Sequence, residues 1–541
     1  MKHKFIFVVG GVLSGVGKGT TTASIGLLLK DRGYKVTAMK IDPYLNIDAG
    51  TMNPVEHGEV YVTKDGLECD QDLGNYERFI DLELTRENYM TAGQVFQTVL
   101  DKERALYYGG KCVEMVPHIP DEILSRIHRA ADKDQADVTL VEVGGTVGEY
   151  QNMMFLEAAR LLKLKQPHDV VFVLVSYLPV PPSIGEMKTK PTQYAVRSLN
   201  SVGIQPDFIV ARSEHELDDP RKEKMSIHCN VTPDCIIPAP NVESIYEVPL
   251  NFSRERFPEK ILEKLGMEER EGSMTAYREL VARIKTPTRA VKIAVVGKYF
   301  GSGGYILKDA YISIIESIKH AAWHFHARPD IEWLHAEHFD DGAHMDELKH
   351  FDGILIPGGF GARGIQGKLN VIQYAREHNI PLFGICYGMQ LMVIETARNI
   401  LKLHDAHTTE IDEKTSHPVV HILPEQEALL HEKNMGGTMR LGSYPCQLEV
   451  GSKAHQAYGV ANIEERHRHR YEVNTEYEDQ LVKTGLKFSG RFVEKNLPEI
   501  VEHISHLFFV GVQFHPEFQT RPLKPHPLFR EFINSALLHG K

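Results

Sequence analysis

The runs FIFVVGG, VTAMKI, VTLVEVGG, VVFVLVS and DFIVAR in the first half of the chain are apolar from end to end instead of alternating apolar with polar. A strand with one wet face alternates. A strand that is apolar throughout is covered on both faces, as in a parallel sheet packed between helices. Helical patterns lie between the runs, as at residues 87–107 and 119–132. This rhythm predicts a doubly wound α/β domain over residues 1–265. A charged, proline-containing stretch from KLGMEEREG to IKTPTRAVK reads as a linker, residues 266–290. The pattern then restarts with VKIAVVGKY, GILIPGG, PLFGIC and HLFFVGVQF, a second α/β domain over 291–541. A chain of 541 residues is in any case too long for one core.

The net charge of -12 argues against a nucleic-acid-binding surface, though not against local basic pockets for phosphates. No apolar run reaches the ~18 residues of a membrane span. The apolar stretch after Lys2 and Lys4 ends in glycines too soon for a signal sequence and reads as a buried first strand. Cys69, Cys112, Cys229, Cys235, Cys386 and Cys446 form neither zinc-ligand pairs nor a disulfide scaffold, so a reducing cytoplasm is expected. The glycine-rich stretch Gly301-Ser302-Gly303-Gly304 reads as a surface loop.

Only Cys386 has a context that suggests reactivity. An apolar strand runs into Gly384-Ile385-Cys386-Tyr387-Gly388 and then into a helical pattern. That is the strand–turn–helix form of a nucleophile elbow with Cys in place of Ser. A thiol at a helix N-terminus meets the positive end of the dipole, which favours the thiolate. Such a nucleophile needs a base and a group that orients it. His515 and Glu517 in VGVQFHPEF supply both at the end of another apolar strand. The loop Pro357-Gly358-Gly359-Phe360-Gly361 can aim backbone N–H groups at an oxyanion. In ERHRHRYEVN, Arg466, Arg468 and Arg470 alternate and share one face of a strand, an arrangement that alone would read as an anion- or RNA-contacting patch.

In the first half, Gly10 to Thr20 (GGVLSGVGKGT) lies between strand and helix. It departs from GxxxxGK[ST], because Gly19 intervenes between Lys18 and Thr20. Backbone N–H groups, a lysine and a helix N-terminus still converge on one anion. Asp72 and Glu142 are candidate magnesium carboxylates. Lys40, Lys188, Lys190 and Lys224 look ordinary when taken singly.

Taken together, PGGFG, GICYGMQ and QFHPEF resemble the class I glutamine amidotransferase domain. GGVLSGVGKG, MKIDPYLNIDAGTMNPVEHGEV, DQDLGNYERF, VEVGGTVGE, GEMKTKPTQ and GGTMRLG extend the resemblance, in order, to the CTP synthase family over essentially the whole chain. The resemblance implies a P-loop-like amidoligase domain followed by the amidotransferase domain. The implied reaction aminates UTP with ammonia from glutamine at the expense of ATP.

Carried over, Cys386 attacks glutamine, His515 shuttles the proton and Glu517 orients it, with Gly359 and Tyr387 at the oxyanion. Gly388, Met389, Gln390, Glu410 and Arg470 hold glutamine. Gly15, Val16, Gly17, Lys18, Gly19, Thr20, Asp72, Pro240, Asn241 and Val242 bind ATP, with Lys18 and Lys40 catalytic and Mg2+ on Asp72 and Glu142. Ser14, Lys188, Thr189, Lys190, Pro191, Thr192, Gln193 and Lys224 bind UTP. Glu149, Tyr150 and Gln151 stand where relatives contact the inhibitor CTP with Asp-Ile-Glu. His57 is placed at an ammonia channel, and Phe360 and Arg363 at the activator GTP. A homotetramer, and filaments beyond it, are implied as self-association. A carboxylate-activating amidoligase and a non-enzymatic assembly protein are the rival readings. GEMKTKPTQ and DPYLN weigh against the first, and the intact Cys386, His515 and Glu517 set weighs against the second.

Overall fold

The structure is a computed structural model that describes residues 3–540 apart from 299, 300, 303, 304, 307, 424, 425 and 427–435. Gly303 and Gly304 of the glycine-rich stretch therefore lie outside the described residues. The chain falls into two compact units, one of Met1–Asp48 with Asp72–Val281 and one of Ala49–Gln71 with Ala282–Lys541.

The first unit is built on a seven-stranded sheet in the order Tyr89–Thr91, Val36–Asp42, Val138–Val143, Lys4–Gly10, Val170–Leu178, Phe208–Ser213, Ile236–Pro240. Every pairing in it is parallel. The inner strands are buried along almost their whole length, which is why their sequences do not alternate. Lys4–Gly10 is the switch point, since the chain returns to the sheet on one side of it and later on the other. The groove beyond its C-terminal end is where ligands bind in such sheets.

Two expectations are corrected. Residues 87–107 do not form one helix: a 3-10 turn and the edge strand Tyr89–Thr91 precede the helix Ala92–Arg104, because Thr91 caps that helix by accepting from the Gln94 N–H. Within the charged stretch at 266–290, Thr275–Lys285 is a helix. Its Tyr277 is buried, lies 6.4 Å from both Phe79 and Tyr246, and donates to the Phe79 carbonyl.

The second unit has a nine-stranded sheet. Its parallel part runs Ala327–His335, Arg289–Gly297, Gly353–Ile356, Leu382–Ile385, Phe509–Val512. An antiparallel extension follows through Leu497–His503, Leu486–Phe492, Arg440–Leu448 and Asn462–His469. The sequence showed four of these parallel strands but not the half-buried edge strand Ala327–His335; the extension is polar on part of its length and carried no such signal. The helix Tyr387–Asn399 is buried from Tyr387 to Ala397, which suits its mostly apolar first three turns. Val60–Val62 and Glu68–Asp70 form a small antiparallel hairpin of this unit.

Phe383, in the strand that leads to Cys386, is fully buried among Phe508, Phe529 and Phe532. Phe383→Ala is expected to cost about 3–5 kcal/mol through lost burial and a residual cavity. Thermal unfolding should show the loss as a lowered midpoint.

Candidate active sites

The parallel register of the second unit places its reactive groups. Ile356 lies opposite Gly384, and Ile385 opposite Val512. The segments that leave these strands, Pro357–Gly361, Cys386 and Gln513–Glu517, therefore emerge side by side. Cys386 caps the helix Tyr387–Asn399 with φ of 51°, a left-handed conformation that a non-glycine residue adopts only under constraint. The strain thus sits on the cysteine. The flanking glycines serve close approach: a Cβ on Gly388 would stand 2.3 Å from the Ile356 carbonyl oxygen, and one on Gly384 2.5 Å from Met392 Sδ.

His515 Nδ1 bonds Glu517 Oε1 at 2.7 Å, a reach made possible by the 3-10 turn Pro516–Gln519. Phe518 stacks on the imidazole at 5.2 Å. Burial alone would depress the His515 pKa, but the charges of Glu517 and Cys386 overcome it and raise it to about 10. The imidazole is therefore an imidazolium near neutral pH, and its buried Nε2 is the side left for the thiol and its reaction partner. A cysteine sulfur beside a buried, carboxylate-held imidazolium suits acyl transfer.

These groups open on a cavity of about 560 Å³ lined also by Gly359, Phe360, Tyr387, Gln390, Glu410 and Arg470. Gly388 and Met389 are absent from its walls, and the Met389 side chain belongs to the core. Glu410 Oε1 accepts the Gly361 N–H at 2.7 Å, and burial raises its pKa. Arg470 donates to Gln426 and Thr438 at 2.7 and 2.9 Å. Lys298 lies over the half-exposed Phe360 ring at 5.4 Å, while Arg363 makes a two-pronged pair with Glu337. His57 lies 3.5 Å from Asp70.

The arginine-rich strand is not an exposed anion patch. Arg466 is buried and donates to the Tyr61 hydroxyl and the Val62 carbonyl, and Arg468 pairs with Glu68 at 2.8 Å. Tyr61 in turn donates to the Phe518 carbonyl at 2.8 Å, so the hairpin braces the turn that carries His515. His467 and His469 face the other way into a buried cluster, where burial and Arg440 hold both well below the usual histidine range. Sequence reasoning gave no role to Tyr61 or Glu68, because only the hairpin's docking brings them here.

In the first unit, the loop after Lys4–Gly10 leads to Gly17, the left-handed N-cap of Lys18–Asp31. A Cβ on Gly19 would lie 2.1 Å from Asp72 Oδ1, so the glycine that breaks the sequence pattern makes room for a carboxylate. Lys18 Nζ donates to the Gly145 carbonyl at 2.8 Å, and burial lowers its pKa. Lys40 and Glu142 are partners across adjacent strands. Lys40 pairs with Asp72 and lies 3.4 Å from Glu142. Burial would raise Asp72, but Lys40 outweighs it and holds the carboxyl below its ordinary range. Burial and the Asp72 charge raise Glu142, which also accepts from Tyr76. Two carboxylates held beside two lysines at a helix N-terminus are a donor set that fits Mg2+ and phosphate.

A second cavity of about 120 Å³ is lined by Gly17, Thr20, Pro240, Asn241 and Val242. Its wall also includes Arg212, which the sequence reading passed over. Arg212 is the last residue but one of the strand Phe208–Ser213 and donates to Ala239, Pro240 and Asn241; that position near the strand's C-terminal end was the available signal. Gln193 and Thr189 are buried and bonded to each other, and Thr192 is bonded to Ser176. Lys188 pairs with Glu186, whose carboxylate also feels Arg221 and the exposed Lys224. Lys190 and Ser14 are exposed, and Pro191 is half-buried. Glu149 accepts from Thr146 and Gln151, and Tyr150 is 93% exposed.

Family descriptions match both parts of the chain: "CTP synthase N-terminus" over residues 4–267 and "Glutamine amidotransferase class-I" over 306–535. A CTP synthase of Symbiobacterium thermophilum is 50% identical over 540 residues, covering 99% of this chain and 98% of its own. One of Dehalococcoides mccartyi is 49% identical over 534 residues, covering 98% and 97%. A solved glutaminase domain of Trypanosoma brucei CTPS with bound acivicin is 37% identical and covers 46% of this chain and 94% of its own, with a TM-score of 0.42.

The imidazolium of His515 has a consequence for stability. Its pKa rises from the ordinary 6.5 to about 10 on folding, so its contribution is complete below pH 6.5 and is lost as the pH climbs through about 10. Glu517→Gln removes the strongest influence that raises it and leaves the burial that lowers it. Thermal midpoints of the variant are expected to lie below those of the native protein at pH 7 and to depend less on pH between 7 and 10.

Proposed function

The chain belongs to the CTP synthase family, and from that premise we propose how its residues share the ATP-dependent amination of UTP with glutamine nitrogen. The observation that carries the reading is the Cys386–His515–Glu517 geometry in a chain 50% identical to a CTP synthase over 99% of its length.

In the second unit, Cys386 attacks the side-chain carbonyl carbon of glutamine. His515 gives its proton to the departing nitrogen, so ammonia leaves and a thioester remains. Water, deprotonated by His515, then attacks the thioester. Glutamate is released and the sulfur is restored. The N–H groups of Gly359 and Tyr387 are assigned to the oxyanion. The substrate's α-carboxylate is assigned to Arg470 and its α-amino group to Glu410, with Gln390 and the backbone of Gly388 and Met389 completing the pocket. Glutamine would then displace the present partners of Arg470 and Glu410.

In the first unit, the γ-phosphoryl group of ATP passes to the uracil 4-oxygen. That turns a poor leaving group into phosphate, which ammonia displaces. Lys18 and Lys40 are assigned to the charge on the transferring group. Asp72 and Glu142 would hold Mg2+, which when bound neutralises phosphate charge. Ion pairing of Lys40 with these carboxylates keeps the site compact and lets the lysine turn to phosphate. The loop Gly15–Thr20 takes the phosphates of ATP, and Pro240–Val242 with Arg212 take its base. UTP is assigned to Ser14, the segment Lys188–Gln193 and Lys224.

Control of the enzyme is part of the same reading. CTP inhibition is assigned to Glu149–Gln151, GTP activation to Phe360 and Arg363, and the path of ammonia to His57. We assign a homotetramer able to form filaments and a cytoplasmic location, in keeping with six free cysteines. Among the described residues, no helix is long and apolar enough to cross a membrane.

Steady-state assays with either nitrogen source test the division of labour. Cys386→Ala should abolish CTP formation from glutamine and preserve it from ammonium salts; loss of both in a folded variant refutes the two-site scheme. Lys18→Ala should abolish CTP formation from either source, and retained activity would remove this loop from the phosphate site.

A further inference from the structure

One residue of the QFHPEF segment takes no part in the reaction as described. Gln513 follows Val512, which lies opposite Ile385, so the sheet register sets it beside Cys386. Its side chain is fully buried. Its Nε2 lies 3.7 Å from Cys386 Sγ, and its Oε1 lies 3.2 Å from Gln390 Nε2.

The direction of this amide is fixed by its neighbours. Gln390 Nε2 also donates to the Tyr471 carbonyl at 2.9 Å, and a carbonyl can only accept. The nitrogen of Gln390 therefore faces Tyr471 and Gln513, and Gln513 must answer with its oxygen. Its nitrogen is left facing the sulfur. On the thiol's other side, the S–H has an acceptor in the Arg468 carbonyl at 3.9 Å. The sulfur thus has a partner in each protonation state: an acceptor for the S–H and a donor for the thiolate.

We propose that Gln513 is a catalytic residue of glutamine hydrolysis, donating its side-chain N–H to the Cys386 sulfur whenever that sulfur carries negative charge. This rests on the assignment of Cys386 as the nucleophile. The charge is there before attack, while the sulfur's proton is held by the His515 imidazolium. It reappears when the carbon–sulfur bond of the thioester breaks during hydrolysis and the electron pair returns to sulfur. In both steps the buried N–H replaces the water that would otherwise solvate a thiolate. Sulfur is a weaker acceptor than oxygen, so the donor should be worth less than the roughly 10²–10³ in rate of an oxyanion-hole donor.

The test uses the full-length enzyme with Gln513→Met, which keeps the length and removes the donor, and Gln513→Glu, which keeps the shape. Glutamine hydrolysis by Gln513→Met should fall on the order of 10-fold in kcat with KM unchanged. CTP formation from ammonium salts should stay at the native level. Iodoacetamide alkylation of Cys386 needs no glutamine pocket, and its rising limb against pH should move to higher pH. Gln513→Glu should be slow at neutral pH and recover part of its alkylation rate in acid, where the protonated carboxyl can donate. Native alkylation rates and pH profiles in both variants would overturn the proposal, as would a uniform loss in both that leaves the profile in place. Loss of ammonia-dependent synthesis as well would also overturn it, because the defect would then not be confined to the thiol. Failure of Cys386→Ala to block glutamine use would instead sink the nucleophile assignment itself.

Discussion

Ile385 and Val512 face each other across two parallel strands, and that pairing governs the chemistry of the second unit. Parallel strands release their C-terminal ends on one side of a sheet. Cys386 is the next residue of one strand; Gln513 is the next of the other, and His515 follows it by two. Slipping the pairing by one residue would turn Gln513 and His515 to the wrong face. The bulky core below, with Phe383 against three other phenylalanines, fixes the register from beneath. The left-handed conformation of Cys386 persists because the sheet and the buried helix hold it from both sides.

The first unit uses the same geometry for a different purpose. Lys40 and Glu142 are opposite one another on adjacent parallel strands, and Asp72 reaches them from the start of a helix. Burial there opposes every charge, and the neighbours act in opposite directions: Lys40 holds Asp72 low, while the Asp72 charge adds to burial in pushing Glu142 up. Such a cluster is costly without partners and responds strongly to any added charge. A polyphosphate with its cation brings just that kind of charge.

Both units show why some parts of the sequence were legible. The inner strands of the parallel sheets were readable because burial on both faces leaves an unbroken apolar run. The elbow at Cys386 was readable because two glycines and an apolar helix flank it. Residues 87–107 misled because an edge strand of three residues carries too little pattern to stand out from the helix it precedes. The antiparallel extension was missed because its polar residues pair with one another inside, as Arg440 does with Glu499. The alternating arginines suggested an anion patch, yet Tyr61, Val62 and Glu68 from a distant part of the chain take up two of them.

The sequence by itself determined the fold class and singled out Cys386, His515, Glu517 and the loop at Lys18 as candidates, because each depends on residues close together in the chain and on local backbone geometry. Tertiary structure alone decided what depends on distance across the fold. It put Gly19 against Asp72, Lys40 between two carboxylates, Tyr61 under the turn of His515, and the amide of Gln513 against the sulfur. Each of those contacts joins segments brought together by sheet register or hairpin docking, and neither periodicity nor spacing along the chain encodes such a meeting.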